Sequence, residues 1–485
     1  MEFWVILAAY VVVVLAIGAW ARRRAARSAG EYFLAGRSLA TLPLFMALFG
    51  TNATPFVLVG IPGLAYSLGI GVFGLNAPMI ALVVPLTFWA IGLPARRMGA
   101  RLSAMTPAEL YARRFDSRAV GLLLFLVFTL YTLPYMVTAV EGAAKTLTAV
   151  TDGAVPKWAG GLGVLVIALL YTSFGGMRAT AWTNVLQGLV FLLFMVAMFF
   201  LVPAYLGGFS EATEQVQRLR PEQLEVSDKG LFQERAWASW TLAISLTVIA
   251  FPHMLVRLMA ANDERSIKNI CRIYPIAMTI LFLPAVMLGF WGVAVMPGLE
   301  DQDKIFPEVI THVLPAWLSA VGFLAIIAAV MSTLDAQILT LGSMLTRDVL
   351  GPMVQKHSVD RDILWGRIFG VVVAAAVYGW WALASDSIFD IAAIAFSGYV
   401  TLVPTLFLGV RWRRFTRNGA VLSIVLGNLV YALALADSGW NARAAAWAGF
   451  LPVFWALLAA FAAGILGSLA SRPDEAVTRR AFDAQ

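Results

Sequence analysis

The stretch GTNATP at residues 50–55 interrupts an apolar segment that is otherwise long enough to cross a membrane. A second apolar segment contains IAFPH at residues 249–253 and is interrupted at Pro252. Because proline has no backbone N–H, each proline frees a carbonyl group one turn earlier. In hydrocarbon a free carbonyl is tolerated only where it lines a cavity or binds a ligand. Interrupted helices in corresponding positions of two halves predict a carrier with a binding site near the middle of the bilayer.

The composition of the chain is that of a membrane protein. Of its 485 residues, 60% are hydrophobic and only 13% are charged, and the mean hydropathy is +0.81. Such a composition excludes an ordinary soluble domain. Apolar runs of roughly 20 residues, the length that crosses a bilayer core, predict an all-α polytopic protein with about 13 transmembrane helices.

Basic residues stand between the apolar segments rather than in one patch. The formal net charge is +7, but this distribution indicates membrane topology, and we expect no nucleic-acid partner. On the predicted map the basic clusters fall on one side, which the positive-inside rule makes cytoplasmic. We therefore expect a multi-pass protein of a bacterial inner membrane, with an extracytoplasmic N-terminus and a cytoplasmic C-terminus. The clusters are Arg22–Arg24, Arg96–Arg97, Arg113–Arg114, Arg265–Arg272 and Arg411–Arg417.

Ser332 and Thr333 lie side by side in another apolar segment. With Ala329 they are spaced i, i+3, i+4, so the three residues share one helix face. A hard cation prefers oxygen ligands, and two hydroxyls and a carbonyl on this face could meet the carbonyls released at residues 50–54. The alternative is that these hydroxyls bond only within their own helix or join two helices.

Several motifs of the chain resemble the sodium:solute symporter family. The resemblance runs from about Glu31 to Gly419, with the motifs in matching order and spacing. The motifs are AGRSL at 35–39, GIPG at 60–63 with Tyr66, YTSFGGMRA at 171–179, WTNVLQ at 182–187, AVMSTLD at 329–335 and TRD at 346–348.

The resemblance implies a leucine-transporter-type fold, which is a five-plus-five inverted repeat, here with one extra helix before it and two after it. It also implies a sodium site formed by the carbonyls of Gly50, Ala53 and Ala329 and the hydroxyls of Ser332 and Thr333. The expected segments are an N-terminal helix and basic loop at 1–38, the first repeat at 39–204, an extracytoplasmic loop at 205–236, the second repeat at 237–410, two C-terminal helices at 411–470 and a cytoplasmic tail at 471–485.

Two departures from the family pattern bear on the number of sodium ions. At position 184 this chain has asparagine, whereas similar family members that bind a further sodium have aspartate. At position 52 it again has asparagine, whereas the sodium/proline type has aspartate. Without these carboxylates a second cation loses its charged ligands, which predicts one sodium per solute. The alternative is that Glu141 or Asp335 compensates.

We expect the solute to bind beside the two breaks. Tyr135 falls where the sodium/proline type has a tyrosine on the substrate side. An imidazole such as His253 could bind a carboxylate, although it could equally hold two helices together. A small carboxylate-bearing solute, a monocarboxylate or an amino acid, is favoured. The predicted contacts are Thr51, Asn52, Thr54, Tyr135, Phe251 and His253.

Two further charged positions carry expectations of their own. Glu141 and Lys145 are spaced i, i+4 inside an apolar segment, which predicts a structural ion pair near the outer end of a helix. Arg257, one turn after His253, is expected to extend to the cytoplasmic interface.

These features predict sodium-coupled symport by alternating access, with sodium, a small solute and the lipid bilayer as partners. Three histidines and a single cysteine do not supply the clustered acids, bases or metal ligands of an enzyme. The alternatives are a proton-coupled carrier of the same fold and a transport-like solute sensor. The oligomeric state is left open, and the sequence is compatible with a monomer.

Overall fold

A computed structural model of the protein describes residues 2–24, 28–151, 153–353, 359–383 and 387–483. These residues form helices and connecting loops, with one isolated parallel bridge between Leu39 and Ala261. The α-helices are α1 (Glu2–Arg24), α2 (Ala29–Leu34), α3 (Thr41–Asn52), α4 (Ile61–Leu68), α5 (Gly71–Thr87), α6 (Leu93–Arg101), α7 (Pro107–Arg114), α8 (Arg118–Val150), α9 (Lys157–Tyr205), α10 (Phe209–Leu219), α11 (Glu234–Ala250), α12 (Pro252–Met259), α13 (Glu264–Val295), α14 (Ile305–Val313), α15 (Ala316–Met344), α16 (Val359–Leu383), α17 (Ile388–Val400), α18 (Val403–Arg411), α19 (Arg417–Asp437), α20 (Pro452–Leu469) and α21 (Glu475–Phe482).

The prediction of an all-α polytopic protein is confirmed. Among the described residues, ten helices are long and apolar enough to cross a membrane, and up to twelve spans are present if each of two bent helix pairs counts as one. The remaining predicted span coincides with a shorter apolar helix, Lys157–Leu170. The figure of thirteen therefore remains a prediction, and so do the segment boundaries derived from it.

The first bent pair is α3 followed by α4, at an angle of 52°. Helix α3 ends at Asn52, and Ala53 leaves the helical region with φ −79° and ψ 68°. Pro55 has no N–H to offer the Thr51 carbonyl. The N–H of Phe56 donates to the Thr54 hydroxyl at 3.2 Å. These two residues explain why the helix stops inside an apolar segment.

The second bent pair is α11 followed by α12, at an angle of 48°. Helix α11 ends at Ala250, Phe251 is extended with φ −65° and ψ 121°, and α12 begins at Pro252. Proline suits the first position of a helix because its missing N–H would have no partner there. Both interruptions expected from the sequence are therefore present.

Helix α9 contains a kink at Gly176, where φ is 60° and ψ is −171°. A side chain at this position is excluded for two reasons. The backbone conformation favours glycine, and a Cβ atom would lie 2.9 Å from the ring and the carbonyl of Tyr32. The kink divides α9 into a first part that contains the shorter apolar helix Lys157–Leu170 and a second part, Gly176–Tyr205, which is one of the ten membrane-length helices.

Helices α9 and α15 pack against each other and form the centre of the bundle. The first half of the interrupted pair, α3, packs against both of them, and α12 packs against α3 and α15. Helix α1 also contacts α9 and α15, whereas α19 and α20 pair with each other. The two breaks are therefore held beside the segment that carries Ser332 and Thr333.

Candidate functional site

The hydroxyl of Ser332 lies 2.9 Å from the carbonyl oxygen of Gly50, a residue 282 positions earlier in the chain. The same hydroxyl lies 2.8 Å from the carbonyl of Ala329, and the hydroxyl of Thr333 lies 3.0 Å from it. All four residues are buried. The structure thus brings four of the five predicted sodium ligands into one cluster of uncharged oxygens between α3 and α15, and such oxygens suit an alkali cation.

The hydroxyls of Ser332 and Thr333 also make hydrogen bonds within their own helix, as serine and threonine commonly do. Their contacts with the Ala329 carbonyl run back three and four residues along the same helix, which is the common alternative for a hydroxyl in a membrane helix. The contact from Ser332 to Gly50 is different, because it joins two helices at the point where one of them ends. Ala53, the fifth predicted ligand, lies at the break and is fully buried, and its part in the site remains a prediction.

A small cavity of about 10 Å³ lies between the two breaks. Three of the six predicted solute contacts line it, namely Asn52, Tyr135 and Phe251. Two stacked rings form one wall, since the centroids of Tyr135 and Phe251 are 4.9 Å apart. Among the described residues, the other lining residues are Phe56, Val57, Ile80, Ile244, Thr247, Val248, Phe282 and Phe396.

The remaining three predicted contacts lie outside this cavity. The Thr51 hydroxyl bonds to the Ala47 carbonyl at 2.8 Å, and the Thr54 hydroxyl accepts the bond from Phe56 at the break. His253 stacks on Phe251 with a centroid distance of 5.2 Å. Neither ring nitrogen of His253 has a hydrogen-bond partner in the described part of the chain.

Several residues of the cavity are not among the contacts predicted from the sequence. Thr247 is one turn before the second break and Phe56 directly follows the first, so distance from the breaks could have indicated both. Phe282 and Phe396 come from α13 and α17, and nothing in their sequence surroundings distinguishes them from packing residues. Only the tertiary structure brings these two rings to the cavity.

Asn52 and Asn184, the two positions where the family pattern has aspartate, are both hydrogen-bonded. The Asn52 amide donates to the Tyr274 hydroxyl at 2.7 Å. When the Asn184 amide is oriented to satisfy its neighbours, its oxygen accepts a bond from the Arg257 guanidinium at 2.8 Å. Arg257 is only 1% exposed and also donates to the Ala47 carbonyl at 2.8 Å. The expectation that Arg257 extends to the interface was wrong, because these two partners retain the guanidinium inside the bundle.

The expected ion pair between Glu141 and Lys145 is confirmed, with 3.3 Å between the charged atoms. It belongs to a larger cluster in which Lys145 also lies 3.0 Å from Asp301 and from Asp303. Asp303 accepts the backbone N–H of Ile388 at 3.0 Å. Burial raises the pKa of the Asp303 carboxyl, and the neighbouring lysine opposes this change. The cluster joins α8 to the loop before α14 and to the start of α17.

Comparison with known proteins identifies the family. The model of the sodium:solute symporter family matches residues 32–427. The chain belongs to the sodium:solute symporter family. It is accordingly a sodium-coupled symporter of a small solute and not an enzyme, and its apolar helices and bacterial relatives make it a multi-pass inner membrane protein.

The relatives include transporters of two named solutes. The sodium/proline symporter of Escherichia coli K12 is 26% identical over 459 residues, which cover 89% of this chain and 87% of that protein. The sodium/pantothenate symporter of the same organism is 28% identical over 477 residues, which cover 95% of each chain.

Solved structures show the same fold. A sodium-coupled sialic acid symporter in a substrate-bound outward-open state is similar with a TM-score of 0.79 at 17% identity, covering 98% of both chains. A nucleobase-cation-symport-1 family transporter in a closed conformation is similar with a TM-score of 0.59 at 15% identity, covering 93% of this chain and 97% of that one. The fold is therefore the leucine-transporter type that the family resemblance implied.

Proposed function

We propose that the protein carries one sodium ion with one small carboxylate-bearing solute, a monocarboxylate or an amino acid, into the cell. The sodium ion is held by the carbonyls of Gly50, Ala53 and Ala329 and the hydroxyls of Ser332 and Thr333. The observation that carries this proposal is the contact between the Ser332 hydroxyl and the Gly50 carbonyl. It places a hydroxyl of α15 on a carbonyl at the end of α3, where a cation bridging the two helices needs its oxygens.

Coupling follows from the position of this cluster. A cation between α3 and α15 stabilises the arrangement in which both helices contribute oxygens, and it therefore favours that conformation over others. The cavity begins at Asn52, which is two residues after Gly50. Ordering of the first break by sodium thus also orders one wall of the solute cavity, and the two ligands bind with positive coupling.

One sodium per solute is favoured by the charges beside Asn184. The amide of Asn184 is neutral and bonds to the guanidinium of Arg257, which is buried beside α3. A second cation at this position would lie next to a fixed positive charge in a medium of low dielectric constant, where repulsion is strong. Asn52, the other candidate, is neutral and bonded to Tyr274.

The cavity favours a small and largely apolar solute. Its walls are mostly aromatic and aliphatic, with Asn52, Thr247 and Tyr135 as polar groups. The relatives named above transport proline and pantothenate, which are both carboxylates. We assign the solute contacts to Asn52, Tyr135 and Phe251. In this proposal Thr51, Thr54 and His253 shape the cavity from behind.

We also propose that the N-terminus is extracytoplasmic and the C-terminus cytoplasmic. The arginine clusters at the end of α1 and after α5, α12 and α18 support this orientation through the positive-inside rule. The acidic cluster around Asp301 and Asp303 then lies on the extracytoplasmic face.

A thermal-shift screen of the purified protein tests the ion and the solute together. Amino acids and monocarboxylates are added in sodium chloride or in potassium chloride. A true ligand at one hundred times its Kd stabilises the folded state by about 2.7 kcal/mol, and we expect this stabilisation only in sodium. Equal stabilisation in both salts, with a dependence on pH, would instead indicate coupling to protons. Binding without sodium-driven uptake in proteoliposomes would indicate a sensor.

A further inference from the structure

A cavity of about 280 Å³ lies where three membrane-length helices end on the same side, the cytoplasmic one in the proposed orientation. It is bounded by the loop before α8, the start of α19 and the segment that joins α20 to α21. We call it the cytoplasmic cavity. In the described part of the chain, no residue assigned above to sodium or to the solute lines it. Its charged lining residues are Arg114, Asp116, Arg417, Arg472 and Asp474.

Arg114, the last residue of α7, is a buried cation that lines this cavity. Its side chain is 1% exposed. The guanidinium donates to the carbonyls of Gly409 and Arg413, each at 3.2 Å, and to the carbonyl of Phe415 at 3.4 Å. Its carbon lies 4.9 Å from the ring centroid of Phe482. These partners are all neutral, and no described carboxylate pairs with the guanidinium. Because a buried charge without a counter-ion is costly, an anion in the cavity would stabilise Arg114.

Two further arginines, Arg417 and Arg472, line the same cavity. Both are exposed, and neither forms an ion pair within the described ranges. Arg417 is the first residue of α19, so the positive end of that helix dipole is also close to the cavity. Guanidinium groups bind phosphate oxygens in pairs, and basic pockets between the cytoplasmic ends of membrane helices bind phospholipid headgroups. The three arginines therefore indicate a ligand that carries a phosphate.

The cavity also contains two carboxylates, which do not suit a simple phosphate. Asp116 and Asp474 both line it and are both exposed. Asp474 is the N-cap of α21 and accepts the N–H of Val477 at 3.1 Å. Asp116 forms no ion pair with another described residue. A phosphate ligand that also carries an ammonium group complements both signs of charge in this cavity.

The helices around the cavity favour a lipid over a soluble phosphate. Leu122 on α8, Leu422 on α19 and Leu469 on α20 are 40%, 40% and 52% exposed. Each lies within about two helical turns of a residue that lines the cavity. Exposed leucines on membrane-spanning helices contact acyl chains. A ligand with its headgroup in the cavity can therefore extend its chains along these helices.

We propose that the cytoplasmic cavity binds an aminophospholipid, a lipid whose headgroup carries a phosphate and an ammonium group. The phosphate lies beside Arg114, Arg417 and Arg472, and the ammonium group lies beside Asp116 and Asp474. The bound headgroup joins α7, α19 and the start of α21, which come from distant parts of the chain. The ligand is a component of the membrane and not the transported solute, so the proposal is independent of which ion and solute the protein carries.

Lipid titration of the purified, lipid-depleted protein, followed by native mass spectrometry, tests the charge pattern. Phosphatidylethanolamine should bind about tenfold more tightly than phosphatidylglycerol of the same chain length, which has the phosphate but no ammonium group. The double variant Asp116→Asn/Asp474→Asn should lose this preference. Asparagine suits both positions, because it caps helices as well as aspartate does and tolerates the left-handed backbone of Asp116, where φ is 46°. Equal Kd values for the two lipids in the wild-type protein would overturn the proposal.

The arginines are tested in the same titration. The double variant Arg417→Gln/Arg472→Gln should raise the Kd for phosphatidylethanolamine by at least about tenfold. The control is Arg479→Gln, since Arg479 is exposed on α21 and pairs with Glu475 at 3.0 Å without lining the cavity; it should bind the lipid like the wild type. The melting temperature without lipid verifies that each variant is folded. An unchanged Kd in the double variant would contradict the assignment.

Free phosphoethanolamine distinguishes a lipid from a soluble ligand with the same charged groups. It lacks acyl chains, and we expect it not to displace phosphatidylethanolamine at an equal concentration. Displacement at equal concentration would overturn the assignment to a lipid.

Discussion

Replacement of Ser332 by alanine should weaken sodium binding more than any other single hydroxyl deletion in α15. The Ser332 hydroxyl is 2.9 Å from the Gly50 carbonyl and 2.8 Å from the Ala329 carbonyl, and all three residues are buried. The variant removes a ligand and also leaves the Gly50 carbonyl without this donor. An interaction of a polar group with a charge contributes about 1.5–3 kcal/mol. Since 1.4 kcal/mol corresponds to a factor of ten, the half-saturating sodium concentration should rise by about 10- to 100-fold.

The assay is solute uptake into proteoliposomes at a series of external sodium concentrations. Thr333→Val should raise the half-saturating concentration by a smaller factor, because the Thr333 hydroxyl contacts only the Ala329 carbonyl, and Thr333→Ser should restore it because the hydroxyl returns. Ser343→Ala is the matched control, since Ser343 is equally buried on the same helix but bonds to the Thr340 carbonyl at 2.7 Å, away from the cluster. If Ser332→Ala and Ser343→Ala have the same sodium dependence as the wild type, the sodium site lies elsewhere.

Three other variants probe the surroundings of the site. Lys145→Met should destabilise the folded protein by about 3–5 kcal/mol in thermal unfolding, because it leaves the buried Asp303 without its cation. The control Lys157→Met removes a half-exposed lysine and should cost about 1 kcal/mol or less. Equal losses of stability in the two variants would contradict this account. Gly289→Ala should lower the melting temperature, because its Cβ would lie 2.0 Å from the Pro62 carbonyl and overpacking costs about 1–3 kcal/mol. In the control Gly163→Ala the new Cβ meets no atom within 4 Å, so the melting temperature should not change. Phe251→Ala opens the aromatic wall of the cavity and should raise the Kd for solute at least about tenfold, the equivalent of 1.4 kcal/mol. Sodium alone should still stabilise this variant. An unchanged Kd for solute would place the solute outside this cavity.

The backbone interruptions could be predicted because their causes are local. Pro55 and Pro252 each lack a backbone N–H group. Because each stands inside an apolar segment of membrane length, the sequence predicts an interrupted helix at that point. The face shared by Ala329, Ser332 and Thr333 follows from helical spacing alone. Thr51, Thr54 and His253 were predicted to contact the solute because they flank the breaks, but proximity in sequence does not fix the direction of a side chain. In the folded chain these three residues are not among those that line the cavity, and their contact with the solute stays a prediction.

Composition and local pattern suffice to predict an all-helical membrane protein with two interrupted helices and a pair of hydroxyls on one helix face. These properties depend on composition, proline chemistry and helical periodicity, which act over a few turns. Three features come from the packing of the helices: Ser332 contacts Gly50, Arg257 is buried beside Asn184, and Phe282 and Phe396 complete the cavity. Such contacts join residues far apart in the chain, and they depend on how whole helices pack, which no local pattern encodes.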